Sequence, residues 1–341
     1  MSETQTLTIR QPDDFHVHLR QGQMLKDVLP HSAGFGRLMV MPNIVPPVLN
    51  ADDASRYMEE IVSAMHLYPR RPTIIMSLQV IPNTKPEDIK FAMNRGVRVG
   101  KVYPKGMTTN SENGVEDYRS LHDVFGAMEE VGMILSLHGE HPSQTLDCLD
   151  REAAFMDILV WINQTFPKLK IVLEHVTTTI AVTNVMAMPD NVSATITVHH
   201  LFLTLNNVIG HMLKPHHFCK PVAKRFTDRS SLVAAATSGN RKFFLGTDSA
   251  PHLKEKKECA DGCAGIFTAP VALPLLAELF ERQSALKRLE DFTSRFGAEF
   301  YGLPLNKGTV MLEKTSWRMP GEISGVIPFM AGETILWQVK S

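Results

Sequence analysis

The 341-residue sequence predicts an α/β protein whose eight parallel strands close into a (β/α)8 TIM barrel. Short β-branched or aliphatic runs alternate with longer segments of helical pattern through most of the chain. Eight such runs precede residue 250, and most are separated by a segment long enough for a crossover helix. An open, doubly wound sheet is disfavoured because no glycine-rich phosphate loop follows an early strand.

The barrel elements follow in order along the chain. The predicted strands are Asp14–Leu19, Arg37–Met41, Thr73–Val80, Val97–Tyr103, Met133–His138, Lys170–His175, Val192–Val198 and Lys242–Gly246. Capping residues, among them Asn50, Gly132 and Gly239, mark the ends of the helices. The predicted helices are Asp52–Leu67, Lys85–Arg95, Val115–Val131, Arg151–Phe166 and Thr227–Ser238.

Beyond residue 250 the pattern changes. Two helices are predicted, Val271–Arg282 and Leu286–Phe300, and Glu333–Val339 alternates as a strand does. We interpret residues 305–341 as a short C-terminal extension packed on the barrel, so that residues 1–341 form one domain. Only about fifteen residues precede His16, and we therefore expect no N-terminal β-sandwich.

Composition excludes several classes of protein. Hydrophobic residues make up 44% of the chain, charged residues 21%, and the formal net charge is −1, which favours a globular protein without a nucleic-acid or membrane partner. The N-terminus lacks a signal-peptide pattern, and no apolar run approaches the roughly 20 residues of a membrane span. Four scattered cysteines do not form a disulfide framework. We therefore expect a cytoplasmic protein.

The candidate active site lies at the carboxyl ends of the strands, where a parallel barrel places its catalytic groups. Each polar residue there, taken alone, has an ordinary structural explanation. Five of the eight strands nevertheless carry a residue that can bind a metal at the same rim, and this coincidence favours one shared site. On the first strand, the two residues at i and i+2 point to the same face. The candidates are His16, His18, Lys101, His138, His175 and Asp248.

The charges of this set predict two metal ions. An ammonium group on Lys101 would repel a cation, but reaction with CO₂ converts the amine to an anionic carbamate (N6-carboxylysine) that can bridge two cations. One ion would bind the first-strand histidines and Asp248, the other would bind His138 and His175, and a hydroxide would complete the bridge. Imidazole ligands favour two Zn²⁺, with Co, Mn or Fe as substitutes.

These residues and their neighbours resemble a known family along almost the whole chain. The sequence is similar to the amidohydrolase superfamily and, more narrowly, to dihydroorotases of the shorter, bacterial type. The resemblance implies reversible cyclisation of N-carbamoyl-L-aspartate to (S)-dihydroorotate with loss of water, in pyrimidine biosynthesis, by a homodimer. The segments that carry it are Asp14–Arg20, Met41–Asn43, Lys101–Pro104, Thr108–Ser111, His138–Glu140, Glu174–His175, His199–Leu201 and Gly246–His252.

The resemblance also implies roles for substrate-binding residues. Asp248 would act as general base and acid in addition to binding metal. A guanidinium, an amide and an imidazole would together hold the substrate carboxylate, which agrees with their hydrogen-bonding chemistry. The segment Pro104–Gly114 would form a mobile lid. The implied substrate-binding residues are Arg20, Asn43, His252, Lys220, Ala264, Thr108 and Thr109.

Other histidines, cysteines and carboxylates receive no ligand role. Glu140 and Glu174 are expected to orient neighbouring ligands. His199 and His200 are expected to end the seventh strand and to shape the site, while Cys259 and Cys263 are interpreted as free thiols because nothing completes a zinc site around them.

Three alternatives remain open from the residues. A hydantoinase or dihydropyrimidinase would share the metal ligands, but those relatives usually carry a longer N-terminal segment and need no carboxylate-binding residues. A deaminase would need one metal ion and no bridging lysine. A non-catalytic barrel protein would have lost ligands, whereas all six candidate positions are filled here.

Overall fold

The computed structural model describes residues 5–66 and 71–340. Eight parallel strands form one sheet, each hydrogen-bonded to the next in chain order, and this confirms the predicted TIM barrel. The barrel strands are β2 to β9 of the set β1 (Thr6–Arg10), β2 (Asp13–Val17), β3 (Arg37–Val40), β4 (Thr73–Val80), β5 (Val99–Val102), β6 (Ile134–His138), β7 (Ile171–Glu174), β8 (Val192–Ile196), β9 (Phe243–Leu245), β10 (Thr309–Glu313), β11 (Trp317–Arg318), β12 (Thr334–Ile335) and β13 (Gln338–Val339).

The contact between the first and last barrel strands matters for the site. The Asp248 amide donates to the His16 carbonyl at 2.8 Å, and the His18 amide donates to the Ser249 carbonyl at 3.0 Å. The buried Asp14 carboxylate accepts from the amide and the hydroxyl of Thr247 at 2.8 and 2.6 Å. These bonds nearly close the barrel and bring the end of β9 against the end of β2.

Helices pack around the barrel and at its two ends. They are α1 (Gly22–Val28), α2 (Ala51–Met65), α3 (Pro86–Asn94), α4 (His122–Val131), α5 (Arg151–Thr165), α6 (Thr179–Ala187), α7 (Val198–Phe202), α8 (Leu205–Ile209), α9 (Phe226–Thr237), α10 (Lys254–Lys257), α11 (Ala272–Arg282) and α12 (Phe296–Phe300). The last residue of the predicted helix Asp52–Leu67 lies outside the described residues. Among the helices of the part described, none is long and apolar enough to cross a membrane.

Several element predictions were wrong in detail. The helix predicted over Val115–Val131 begins only at His122, because Val115 pairs with Pro104 and Asp117 caps a 3-10 turn. The helix predicted over Leu286–Phe300 is divided into a 3-10 turn, a π-helix and α12. His199 and His200 do not end a strand, because Thr197 caps α7 by accepting from the His200 amide at 3.2 Å.

Aromatic side chains fill the barrel near the amino ends of its strands. The Phe15 ring stacks on Tyr301 with centroids 4.6 Å apart and meets Phe244 edge-on at 5.6 Å. Gly297 in α12 lets the backbone approach this cluster, since a Cβ there would lie 2.3 Å from the Phe15 ring. The interior at this end is therefore packed, and the polar groups lie at the opposite end.

The C-terminal segment pairs with the N-terminal strand. β10 is antiparallel to β1, with Thr6 opposite Glu313, and β13 extends the same sheet. The strand predicted over Glu333–Val339 is two short strands in different sheets, since β12 pairs with β11 instead. Between them Trp337 is fully buried and donates from Nε1 to Glu281 at 3.1 Å.

Candidate metal centre and substrate pocket

The first candidate ligand group gathers where β2 and β9 end. His16, His18 and Asp248 each direct one ligand atom to a common point, and these atoms lie within 4.8 Å of one another. Asp248 Oδ1 is 3.1 Å from His18 Nε2 and 3.4 Å from His16 Nε2. Burial would raise the pKa of Asp248, but His16 and His18 hold it below the usual range of an aspartate. The carboxylate is therefore charged and available as a ligand or a base.

Lys101 lies in β5 and is completely buried. Its Nζ has no hydrogen-bond partner among the residues described and lies 5.1 Å from the centroid of the Tyr103 ring. Burial lowers the pKa of Lys101 to about 8, although Glu174 and Asp248 oppose the shift. A buried ammonium group without a partner is costly, and the lowered pKa enlarges the fraction of neutral amine, which is the form that reacts with CO₂. The environment thus fits a carbamate better than an ammonium group.

His138 and His175 lie at the ends of neighbouring strands, with ring centroids 4.6 Å apart. His138 ends β6, and His175 follows β7, where its ring lies 5.1 Å from that of His16. The His175 Nδ1 is buried without a partner in the described part of the chain. Burial lowers the pKa of both rings, so both are neutral and able to bind a metal ion.

Carboxylates orient two of the ligand rings. The Glu140 Oε2 is 2.7 Å from His138 Nε2, as expected for sequence neighbours. Glu174 does not bind the adjacent His175. Its Oε2 instead accepts from His16 Nδ1 at 2.9 Å, and its other oxygen accepts from Ser136 at 2.6 Å. Each bond fixes one ring nitrogen and leaves the other for a metal ion, which is the usual arrangement around metal-binding histidines.

Three candidate site residues at this rim have a strained backbone conformation. Arg20, His175 and Asp248 all have positive φ, at 62°, 42° and 46°. Residues with a Cβ rarely adopt this conformation, and each instance costs on the order of 1–3 kcal/mol. Such strain is common where a side chain must be aimed at a reacting group, and here it affects two candidate ligands and the candidate carboxylate-binding arginine.

The residues expected to bind a substrate carboxylate lie beside the ligand group. The Arg20 Nη2 is 2.9 Å from His252 Nε2, and its Nε donates to the Pro251 carbonyl at 2.9 Å. Burial and the neighbouring Arg20 lower the pKa of His252 to about 2, so its ring is neutral. Asn43 is buried, and its Oδ1 has no partner within the described segments. A cationic fork and two neutral polar groups thus adjoin the candidate metal ligands.

The candidate lid lies over this pocket. Asn43 Nδ2 donates to the Thr109 carbonyl at 3.2 Å, and Asn110 Nδ2 donates to the Asn43 carbonyl at 2.9 Å. The Thr109 hydroxyl is 3.4 Å from the Ala264 carbonyl. Thr108, Thr109, Lys220 and Ala264 line one cavity of about 650 Å³, which none of the six candidate ligands lines. Short contacts therefore join Arg20, His252, Ala264, Thr109 and Asn43, whereas Thr108 and Lys220 are placed by the cavity that they share with Thr109 and Ala264.

Two features of the rim were missed or left unassigned from the sequence. His199, His200 and Cys219 form a second cluster whose ligand atoms lie within 4.8 Å of one another. His200 is bonded to Thr197 and Pro221, at 2.8 and 3.0 Å, so both of its ring nitrogens are occupied. Lys257 is buried beside the pocket, although its run of charged neighbours suggested only a solvated loop. In the described residues Cys259 and Cys263 belong to no such cluster.

Comparison with known proteins shows which family the chain belongs to. The amidohydrolase family matches residues 13–314 of the chain. A dihydroorotase from Shewanella denitrificans is 48% identical over 343 residues, covering 98% of this chain and 99% of that protein. The chain belongs to the dihydroorotases of the amidohydrolase family.

Solved structures of dihydroorotases have the same fold. The enzyme from Saccharomyces cerevisiae in complex with 5-fluoroorotic acid superposes with a TM-score of 0.92 at 35% identity, covering 98% of each chain. The dihydroorotase from Campylobacter jejuni gives a TM-score of 0.91 at 37% identity, covering 100% of this chain and 99% of that one. The resemblance to short, bacterial-type dihydroorotases that the motifs indicated is confirmed.

Proposed function

We propose that this chain catalyses the reversible cyclisation of N-carbamoyl-L-aspartate to (S)-dihydroorotate, with loss of water, in pyrimidine biosynthesis. It is an enzyme of the cyclic amide hydrolase class, as its dihydroorotase relatives indicate. The observation that carries the substrate assignment is the placement of Arg20 against His252, on the strand end that also holds His16 and His18. A carboxylate-binding group therefore adjoins a hydrolytic one, as dihydroorotate requires.

The chemistry of the site supports two metal ions and a modified lysine. His16, His18 and Asp248 would hold one ion, His138 and His175 the other, and Lys101 as N6-carboxylysine would hold both. The buried, unpartnered Lys101 Nζ and His175 Nδ1 fit this arrangement, since each is otherwise an unsatisfied polar atom. Two divalent cations would supply an activated water and a polarised amide carbonyl when bound.

The protein groups manage the proton and the substrate. In the hydrolytic direction Asp248 accepts the proton of the attacking water and delivers it to the ring nitrogen as the amide C–N bond breaks. Arg20, Asn43 and His252 hold the carboxylate, which fixes the ring against the attacking oxygen. Thr108 and Thr109 close the pocket from the lid, and Lys220 and Ala264 form the opposite wall. In the synthetic direction the same steps run in reverse.

Substrate preference tests this assignment. Dihydroorotate, hydantoin and dihydrouracil are compared in an absorbance assay with the same purified enzyme. We expect kcat/KM for dihydroorotate to exceed the other two by at least about 100-fold, because substrates without a carboxylate leave buried polar groups unpaired. A preference for hydantoin or dihydrouracil would contradict the proposal and favour the hydantoinase or dihydropyrimidinase alternative.

Several finer points belong to the proposal. We propose Zn²⁺ as the metal because imidazoles dominate the ligand set, with Co, Mn or Fe as substitutes. We also propose a cytoplasmic homodimer, on the family resemblance. Residues 305–341 would belong to the same domain as the barrel, which the pairing of β10 with β1 and the burial of Trp337 support.

A further inference from the structure

Lys257 is a buried lysine at the end of a short, charged helix. The other three residues of α10, Lys254 to Lys256, are exposed, whereas Lys257 is 4% exposed. Its Nζ donates to the carbonyls of Phe218, Cys263 and Gly265, at 3.1, 3.0 and 2.5 Å. An ammonium group has three N–H donors, so these carbonyls satisfy all of them. Burial lowers the pKa of Lys257 to about 8, and the amine keeps its proton at neutral pH.

The three carbonyls belong to two segments, Phe218 and residues 263–265, which together form the pocket wall. Cys263 and Gly265 flank Ala264 in the chain, and the Gly265 amide donates to the Phe218 carbonyl at 3.0 Å. Lys257 therefore holds the carbonyl groups of the residues on both sides of Ala264 and joins them to Phe218. The Ala264 carbonyl lies between these two fixed groups.

That carbonyl connects the wall to two other parts of the site. It lies 3.0 Å from the His252 Nε2 and 3.4 Å from the Thr109 hydroxyl of the lid. The other side of the wall is packed closely, because a Cβ on Gly265 would lie 2.5 Å from the Ala250 carbonyl oxygen. The pocket wall thus packs against the loop that follows Asp248. Within the wall, the Lys257 ammonium group binds the carbonyls of both segments.

We propose that Lys257 is a positioning residue for substrate binding, because its ammonium group sets the place of the Ala264 carbonyl and so of the wall and the lid contact. The inference rests on the proposed function, which makes Ala264 and Thr109 substrate-binding residues. Lys257 forms no hydrogen bond to any candidate metal ligand in the described structure. Its loss should therefore disturb substrate binding and leave the metal centre intact.

Lys257→Met tests this role against Lys256→Met, a matched control on the exposed side of the same helix. We expect Lys257→Met to raise the KM for dihydroorotate by about 10-fold or more, because three buried carbonyls lose their donor and the wall shifts. Its kcat should remain within about three-fold of wild type and its metal content unchanged, since no ligand is touched. Lys256→Met should match wild type in all three quantities.

Lys257→Gln provides a second variant with two N–H donors and no charge, and it decides the matter should Lys257→Met fail to fold. A smaller increase in KM at constant kcat supports the proposal. A wild-type KM in either folded variant contradicts it, as does a loss of kcat that accompanies loss of metal. The wild-type enzyme is assayed first. If it does not turn over dihydroorotate, the proposed function itself is overturned. If it is active and the variants have a normal KM, only the role of Lys257 is overturned.

Discussion

Replacement of Lys101 by alanine is expected to abolish turnover of dihydroorotate and to lower the metal content of the purified protein. Lys101 is the one candidate ligand that would hold both cations, and its buried Nζ has no partner among the described residues. Without it, the two ions lose their shared anion and the site keeps an excess of positive charge. We expect kcat to fall by at least about 10³-fold, as measured at saturating substrate alongside metal analysis.

Short carboxylic acids such as acetate or propionate should partly restore activity to Lys101→Ala, because a free carboxylate can replace the carbamate. Arg20→Met is the comparison variant: it removes a cation at the same rim, so it should weaken substrate binding while the metals stay in place. Wild-type-like turnover in Lys101→Ala would remove the carbamate from the account. Loss of metal in Arg20→Met would give that arginine a structural role instead.

Asp248→Asn is expected to lower kcat by about 10³-fold even when metal is retained. The asparagine oxygen can still bind a cation, but the amide can neither accept the proton of the attacking water nor deliver it to the leaving nitrogen. His16 and His18 hold the pKa of Asp248 below its usual range, despite the opposing effect of burial, so the carboxylate is charged in the wild-type enzyme. The variant therefore removes a base that is present at neutral pH.

The measurement is kcat at saturating dihydroorotate, normalised to bound metal. Asp190→Asn is the matched control, because Asp190 is exposed at the amino end of β8, opposite the candidate site, and pairs with Arg241. This control should keep wild-type kcat. If Asp248→Asn with full metal stays within about ten-fold of wild type, another group transfers the proton.

Much of the fold follows from local patterns. Strands such as Thr73–Val80 were predicted to the residue, because a buried strand of a parallel barrel is a short apolar run between turns. The partner of β1 was not predictable in the same way. β1 pairs with β10 some 300 residues later, and no local property of either strand specifies that pairing.

In the site, too, some features follow from local sequence and others only from long-range packing. The six candidate ligands could be proposed from the sequence because a barrel places its chemistry at strand ends, so their positions in the sequence already restricted where they could meet. The bond from Glu174 to His16 crosses the barrel, and it depends on the distance between β7 and β2 rather than on sequence proximity to His175. Lys257 was missed because a lysine among charged neighbours predicts exposure, and only the packing of residues 218 and 263–265 around it makes it buried.

The positive φ values at His175 and Asp248 also could not be predicted. Neither residue is glycine, and nothing in the neighbouring sequence marks a left-handed conformation. The surrounding structure imposes it: the His175 amide donates to Thr195, and the Asp248 amide donates to the His16 carbonyl. Strain of this kind is visible only after the strands are assembled.

The number of metal ions in the freshly purified, wild-type enzyme tests the central claim most directly, because residues from the ends of five strands would together bind two cations. We predict about two divalent ions per chain, bound by the six residues of the carboxyl rim. Fewer than about one ion per chain, in protein that turns over dihydroorotate at full rate, would contradict the binuclear centre.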